Sequence, residues 1–78
     1  DINVCLWEAL RDCRRELAEE QSVPPYVIFH DSTLVEMCSV VPRTLEDFSK
    51  LSGVGERKLM KYGEAFLAAI RDAEQAFQ

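Results

Sequence analysis

Lys50, Arg57, Lys58 and Lys61 gather around the stretch Leu51-Ser52-Gly53-Val54-Gly55-Glu56-Arg57-Lys58-Leu59, which holds two of the three glycines of the chain. The chemistry open to that combination is phosphate binding. A glycine past a helix can take the left-handed conformation, and a second one two residues on lets the backbone turn sharply into the next helix. The first amides of that helix then lack intrahelical partners at the positive end of its dipole. Gly53 and Gly55 with Arg57, Lys58 and Lys61 thus form a candidate anion site, bracketed by Glu56 and Glu64. A second basic group, Arg11, Arg14 and Arg15, falls in a helical pattern, and Tyr26, fixed by Pro25, offers a face on which a nucleobase can stack. Plainer readings stand beside these. The glycines also serve as a simple helix-to-helix turn, and Tyr26 as an ordinary packed ring. The arginines also suit a solvated face stabilised by the pairs Glu8/Arg11, Asp12/Arg15 and Arg15/Glu19.

Catalytic chemistry is not assembled anywhere in the chain. There is no nucleophile with a neighbouring base and no GxxxxGK[ST] loop, and the adjacent carboxylates Glu19/Glu20 and Glu46/Asp47 diverge on a helix. Three scattered cysteines and one histidine, His30, are too few and too dispersed for a zinc site, so no metal and no cofactor are expected. Cys13 and Cys38 fall on apolar faces, which fits reduced thiols in a reducing, cytosolic compartment. The 14 acidic residues against nine basic ones give a net charge of −5, which repels polyphosphate unless the bases are grouped. The same excess makes Glu16, Glu19, Glu20, Glu46 and Asp47 candidates for docking on a basic protein surface.

The elements that carry these residues are helical. At 78 residues and 47% hydrophobic content the chain is one globular domain, and no apolar run approaches the ~18 residues of a membrane span. Its start at Asp1, without a basic-then-apolar leader, predicts a domain excised from a larger protein. Leu6, Leu10, Cys13 and Leu17 recur at helical spacing from Val4 to about Glu20, with Trp7 beside them and able to stack on Arg11. Pro24 and Pro25 then end that helix and hold the chain from Ser22 extended or in a short turn, and the apolar run Val27-Ile28-Phe29, without a partner strand, is expected to be a buried connection between helices. Asp31 is expected to cap a second helix bearing Leu34, Met37, Cys38 and Val41, terminated by Pro42. Thr44 caps a short third helix, with Asp47 as a variant capping box and Leu45, Phe48 and Leu51 facing inward. The last helix runs from about Gly55 to Ala76 with Leu59, Tyr62, Phe66, Ile70, Ala73 and Phe77 along one side, and Gly63 within it predicts a bend or a close helix crossing.

Three motifs in order and spacing, Val23-Pro24-Pro25-Tyr26-Val27-Ile28-Phe29, Asp31-x-Thr33-Leu34-x-Glu36-Met37 and Leu51-x-Gly53-Val54-Gly55-x-Arg57-Lys58-Leu59, resemble the HRDC domain, a family named for helicases and RNase D. The Pro-Pro-Tyr form looks more like the HRDC domains of bacterial RecQ DNA helicases. The resemblance implies an all-α fold, a compact single-domain bundle of four to five helices with a helix-hairpin-helix-like GxG turn. It further implies a monomeric, non-catalytic module in the bacterial cytoplasm at the nucleoid, assisting a helicase motor in DNA repair and recombination. Relatives that touch single-stranded or branched DNA use the tyrosine matching Tyr26 and bases around the first helix and the hairpin. The matching candidates here are Arg11, Arg14, Arg15, Arg57, Lys58 and Lys61. Such relatives are richer in lysine along the first helix, where this chain has Cys5, Glu8 and Asp12, and Glu64 falls where a base would suit DNA. Weak DNA affinity is therefore expected. Two roles are weighed: modulation of a helicase through acidic faces that dock on its core or on another protein, and direct DNA binding through the hairpin, the bases and Tyr26.

Overall fold

With no proline or glycine between positions 2 and 21, the first amphipathic stretch propagates without interruption as α1, Ile2–Gln21. It opens the computed structural model, which describes residues 2–77. Its buried line runs every fourth residue through Leu6, Leu10, Arg14 and Ala18. The expected stripe through Cys13 and Leu17 is only half-buried. Arg14 displaces it because the arginine stem packs like an apolar chain while the guanidinium donates to the Phe29 carbonyl at 3.0 Å. The helix closes with Ser22 in the left-handed region (φ 56°), Val23 N bonding Ala18 O at 3.0 Å and Ser22 N bonding Glu19 O at 3.2 Å, the Schellman pattern.

The proline segment takes the turned of the two expected forms, and of the run expected to be buried Ile28 and Phe29 are buried while Val27 is exposed, because one helical turn points it away from the core. α2, Pro25–Ile28, has proline at its first position, where a missing N–H costs nothing. α3, Asp31–Val40, starts one residue earlier in register than expected: His30 is the N-cap, without a side-chain bond, and Asp31 is the first helical residue. Val41, expected on the inward stripe, is instead the C-cap at φ 51°, because Pro42 disfavours the right-handed helical region for the residue before it. In α4, Leu45–Ser49, Thr44 Oγ1 accepts from Asp47 N at 3.1 Å, and the Asp47 carboxylate reaches Arg43 N at 3.2 Å, one residue before the usual capping-box position.

α5, Glu56–Phe77, runs antiparallel to α1: Cys5 Sγ donates to Ala73 O at 3.7 Å, and Tyr62 Oη donates to Gln21 Oε1 at 2.9 Å. Phe29 is the centre of the core, with ring centroids 5.2 Å from Phe66 and 6.0 Å from both Phe48 and Tyr62. Gly63 marks a close crossing: a Cβ there would stand 2.7 Å from Leu45 Cδ2 of α4. Leu45 lies over that glycine with its outer side in solvent, and Phe77, expected inward, is 52% exposed beyond the end of the packed face. An Arg43–Glu74 ion pair ties the loop before α4 to α5. The described residues form five helices and no strand, and no helix is long and apolar enough to cross a membrane.

Candidate nucleic-acid interface

The hairpin between α4 and α5 is held rigidly on one side. Thr33 Oγ1 donates to Ser52 O at 3.2 Å, and Ser52 N donates to Glu36 Oε1 at 3.0 Å, so two residues on one face of α3 grip the two peptide groups that flank a single residue of the turn. Gly53 follows at φ +82°, as the third residue of a turn closed by Val54 N on Leu51 O at 3.3 Å. It also sits against α3, where a Cβ would stand 2.6 Å from Thr33 Oγ1. Gly55 differs: its φ is not positive, and nothing lies within 4 Å of the place a Cβ would take. Leu59 N bonds back to Gly55 O at 2.9 Å, so the amides of Glu56, Arg57 and Lys58 precede the first closed turn of α5 and point out of its start. The geometry suits an anion approaching past Gly55, while Glu56 in the first turn occupies part of the same favourable field.

The bases around that turn are not equivalent. Arg57 and Lys61 are exposed, and Lys61 Nζ lies 5.5 Å from the Tyr62 ring centroid. Lys58 is half-buried with its Nζ 5.6 Å from the centroid of Phe29. Arg14 reaches the same residue from the opposite helix, through the Phe29 carbonyl, and the same Nη1 pairs with Asp31 at 2.8 Å. The two basic groups read from the sequence therefore meet at the Tyr26-to-His30 segment, but through members drawn inward.

On α1 the arginines divide by task. Arg14 is buried, so its place on the solvated face is corrected. Arg15 bonds Asp12 at 2.9 Å, the one pair of the three allowed by spacing that forms an ion pair among the described residues. Arg11 is exposed and lies over Trp7, 5.8 Å from the ring centroid. Arg11, Asp12, Arg14 and Arg15, with Glu8 and Pro25, line an open groove of about 420 Å³ between α1 and α2. Tyr26 is 59% exposed and stacks on His30, centroids 6.1 Å apart and planes 21° from parallel. His30 was given no role by its position in the sequence; its signal is the four-residue spacing from Tyr26 across a one-turn helix.

The acidic candidates also separate. Glu16, Glu19, Glu20 and Glu46 are exposed, whereas Asp47 is half-buried and engaged in capping α4. Thr33 and Glu36 were missed as positioning residues, although they stand one turn apart in the second motif. Burial, and secondarily the Glu16 carboxylate, push the Cys13 thiol up to about 11, and burial raises Cys38 as well. Both are poor nucleophiles near neutral pH. Among the described residues no three histidine, cysteine or acidic side chains are placed to hold a metal ion.

A profile described as HRDC domain matches residues 5–70. The chain is 47% identical over 66 residues to an ATP-dependent DNA helicase RecQ of Bacillus subtilis, covering 85% of this chain and 11% of that protein. It is 36% identical over 67 residues to the RecQ helicase of Haemophilus influenzae, covering 86% and 11%. Among solved structures, D. radiodurans RecQ HRDC domain 3 superposes with a TM-score of 0.87 at 40% identity, covering 90% of this chain and 92% of that one. The chain thus spans about a tenth of the length of the helicases it matches.

Proposed function

The chain belongs to the HRDC domain family, and from that membership we propose that it is a non-catalytic accessory module of a RecQ-type DNA helicase, tuning how the motor binds and unwinds DNA. Its contact with DNA is weak, and its main contact is with protein, made by acidic faces on the helicase core or on another partner. One observation carries this reading. Of the three α1 arginines available for phosphate, Arg14 is spent on the Phe29 carbonyl and Asp31, and Arg15 on Asp12, while Glu16, Glu19 and Glu20 are exposed on the same helix and form no ion pair among the described residues. The helix surface that could track a nucleic-acid backbone therefore presents more negative than positive charge.

Direct binding of single-stranded or branched DNA is the second reading, favoured by the exposed Tyr26–His30 stack beside the arginine-lined groove and by the open approach to Gly55. Under it, Tyr26 stacks a base while Arg57, Lys61 and the α5 amides hold phosphate. Titration of labelled single-stranded DNA at low and moderate salt, together with unwinding by a helicase carrying this domain or lacking it, separates the two. The protein-contact reading expects at most weak, salt-sensitive binding by the domain alone and altered unwinding when Glu19 and Glu20 are changed to lysine. Tight binding abolished by Tyr26→Ala, with no effect of the acidic changes on unwinding, would put direct DNA contact first. A domain whose removal alters neither DNA affinity nor unwinding on any DNA structure has neither role.

A further inference from the structure

Beside the arginine groove, with which it shares Asp12, α1 and α5 leave an open channel of about 360 Å³. Its floor is made by Ala65, Ala68 and Ala69, at i, i+3 and i+4 on α5, facing Cys13 and Leu17 of α1. The large apolar residues of α5, Tyr62, Phe66, Leu67 and Ile70, all point to the other side, into the core. Larger side chains at the alanines would close the gap between the two antiparallel helices; small ones keep it open. The rim carries Glu16 and Glu20 from α1 and Asp72 from α5, all exposed and, among the described residues, without an ion-pair partner. A fourth carboxylate, Asp12, is answered by Arg15 from the neighbouring groove, and among the described residues no base lines the channel itself.

We propose that this channel is the protein-docking site of the domain and that its occupant is a basic amphipathic helix. The proposal deepens, and rests on, the protein-contact reading above. An apolar floor with carboxylates on both rims complements a helix that presents a narrow stripe of aliphatic residues flanked by lysine or arginine. The α1 wall from Ala9 to Glu20 is roughly 16 Å long, which matches about three turns of the incoming helix. Polyphosphate is the wrong ligand for this surface, because every charge on the rim repels it.

Cys13, on the α1 side of the channel, supplies a reporter. In the 78-residue chain carrying Cys5→Ser and Cys38→Ser, alkylation of Cys13 is followed at mildly alkaline pH. The probe is a synthetic lysine–leucine peptide of about three helical turns, its leucines spaced on one face, with a peptide of the same composition and scrambled leucine spacing as control. The periodic peptide is expected to slow Cys13 alkylation about tenfold at saturation and the scrambled one to leave it nearly unchanged. Glu16→Gln/Glu20→Gln/Asp72→Asn together, and separately Ala69→Leu, are expected to weaken binding of the periodic peptide about tenfold. Equal binding of both peptides, or no protection of Cys13, overturns the proposal. If Glu19→Gln/Glu46→Gln, outside the channel, weakens binding as much as the rim substitutions while Cys13 stays reactive, the channel is wrong but acidic-face docking survives. If no acidic substitution changes binding or helicase unwinding, the protein-contact reading falls with it.

Discussion

Replacing Arg14 with methionine keeps most of the stem volume and removes the guanidinium, and the structure fixes what that should cost. Phe29 is 1% exposed, so its carbonyl, now bonded by Arg14 Nη1 at 3.0 Å, has no water to turn to; a buried carbonyl left unpaired costs about 1–3 kcal/mol. The ion pair with Asp31 adds about 1 kcal/mol or less, because the Asp31 side chain is 74% exposed and screened by solvent. The sum, about 1–4 kcal/mol, is a large share of the ~4–12 kcal/mol expected for a domain of this size and corresponds to a fall in Tm of about 5–30 °C. Asp31→Asn should lower Tm by about 5 °C or less, since it breaks the pair and spares the carbonyl. Thermal and urea denaturation followed by circular dichroism read both numbers. The functional half of the prediction uses single-stranded DNA titrated at a temperature where the variant is folded. Arg14→Met should bind as the parent does, whereas Arg11→Ala should bind more weakly and show a smaller salt dependence. Arg14→Met stable to within ~0.5 kcal/mol of the parent, or folded normally yet stripped of DNA binding, would refute the assignment of Arg14 to the core.

Gly53→Ala should destabilise by about 2 kcal/mol or more, because φ +82° is unfavourable for alanine and its Cβ would press on Thr33 Oγ1. Gly55→Ala, with open space and no positive φ, should leave stability unchanged or raise it by up to about 1 kcal/mol, and a loss of DNA affinity in that variant alone would mark close phosphate approach at the hairpin. Ser22→Gly relieves an exposed residue held at φ 56° in the closing turn of α1, with an expected gain of about 1 kcal/mol and a Tm rise of about 5 °C. Cys13 titrates at about 11 in the folded chain against an ordinary 9.0, so the unfolded thiol loses its proton first. Its contribution is constant below pH ~9 and is lost as pH rises through about 11; Cys13→Ser should flatten that alkaline limb in urea-melt measurements, and an unchanged limb would assign it to other groups.

The helices were legible because their signals are local. α1 follows from uninterrupted periodicity, α4 from Thr44 with its cap, and the turn from the glycine spacing, all of which act within a few residues. What was not legible depends on distance in the chain. Arg14 reads as one more base on a charged face until α2 brings a carbonyl to it from 15 residues away, and only then does burying a guanidinium become favourable. Thr33 and Glu36 read as ordinary helix-surface residues; their role exists only because the turn at Ser52 folds back onto α3, 16 to 19 residues later. His30 beside Tyr26, and the channel over the alanines of α5, are likewise properties of pairs of elements. The sequence pattern lists the bases, but how far each is available is set by neighbours that the pattern does not contain.

That availability is what decides between the two faces of the domain. Among the described residues Arg14, Arg15 and Arg43 are held in ion pairs and Lys58 is half-buried over the Phe29 ring; the exposed, unpaired cations are Arg11, Lys50, Arg57, Lys61 and Arg71. Arg71 belongs to the far end of α5, so a strand passing the hairpin and Tyr26 meets at most four of these, which sets a salt slope no steeper than about −3 on single-stranded DNA. The acidic channel shares no lining residue with that site, although its near end, at Glu20, adjoins the Gln21 that Tyr62 bonds. Lys58 and Asp72 stand roughly 21 Å apart along α5, about two Debye lengths or more at physiological salt, so a phosphate at the hairpin is nearly blind to the carboxylate at the channel's far end. At low salt the screening length grows past that distance and the whole charge of −5 is felt. Lowering salt therefore strengthens local phosphate contacts and the global repulsion together, and the affinity gain should be smaller than the count of cations alone would give. A basic helix in the channel changes this balance. By neutralising Glu16, Glu20 and Asp72 it removes part of the repulsion without touching the hairpin, so docking of protein and binding of DNA on this domain should favour each other, most strongly at low ionic strength.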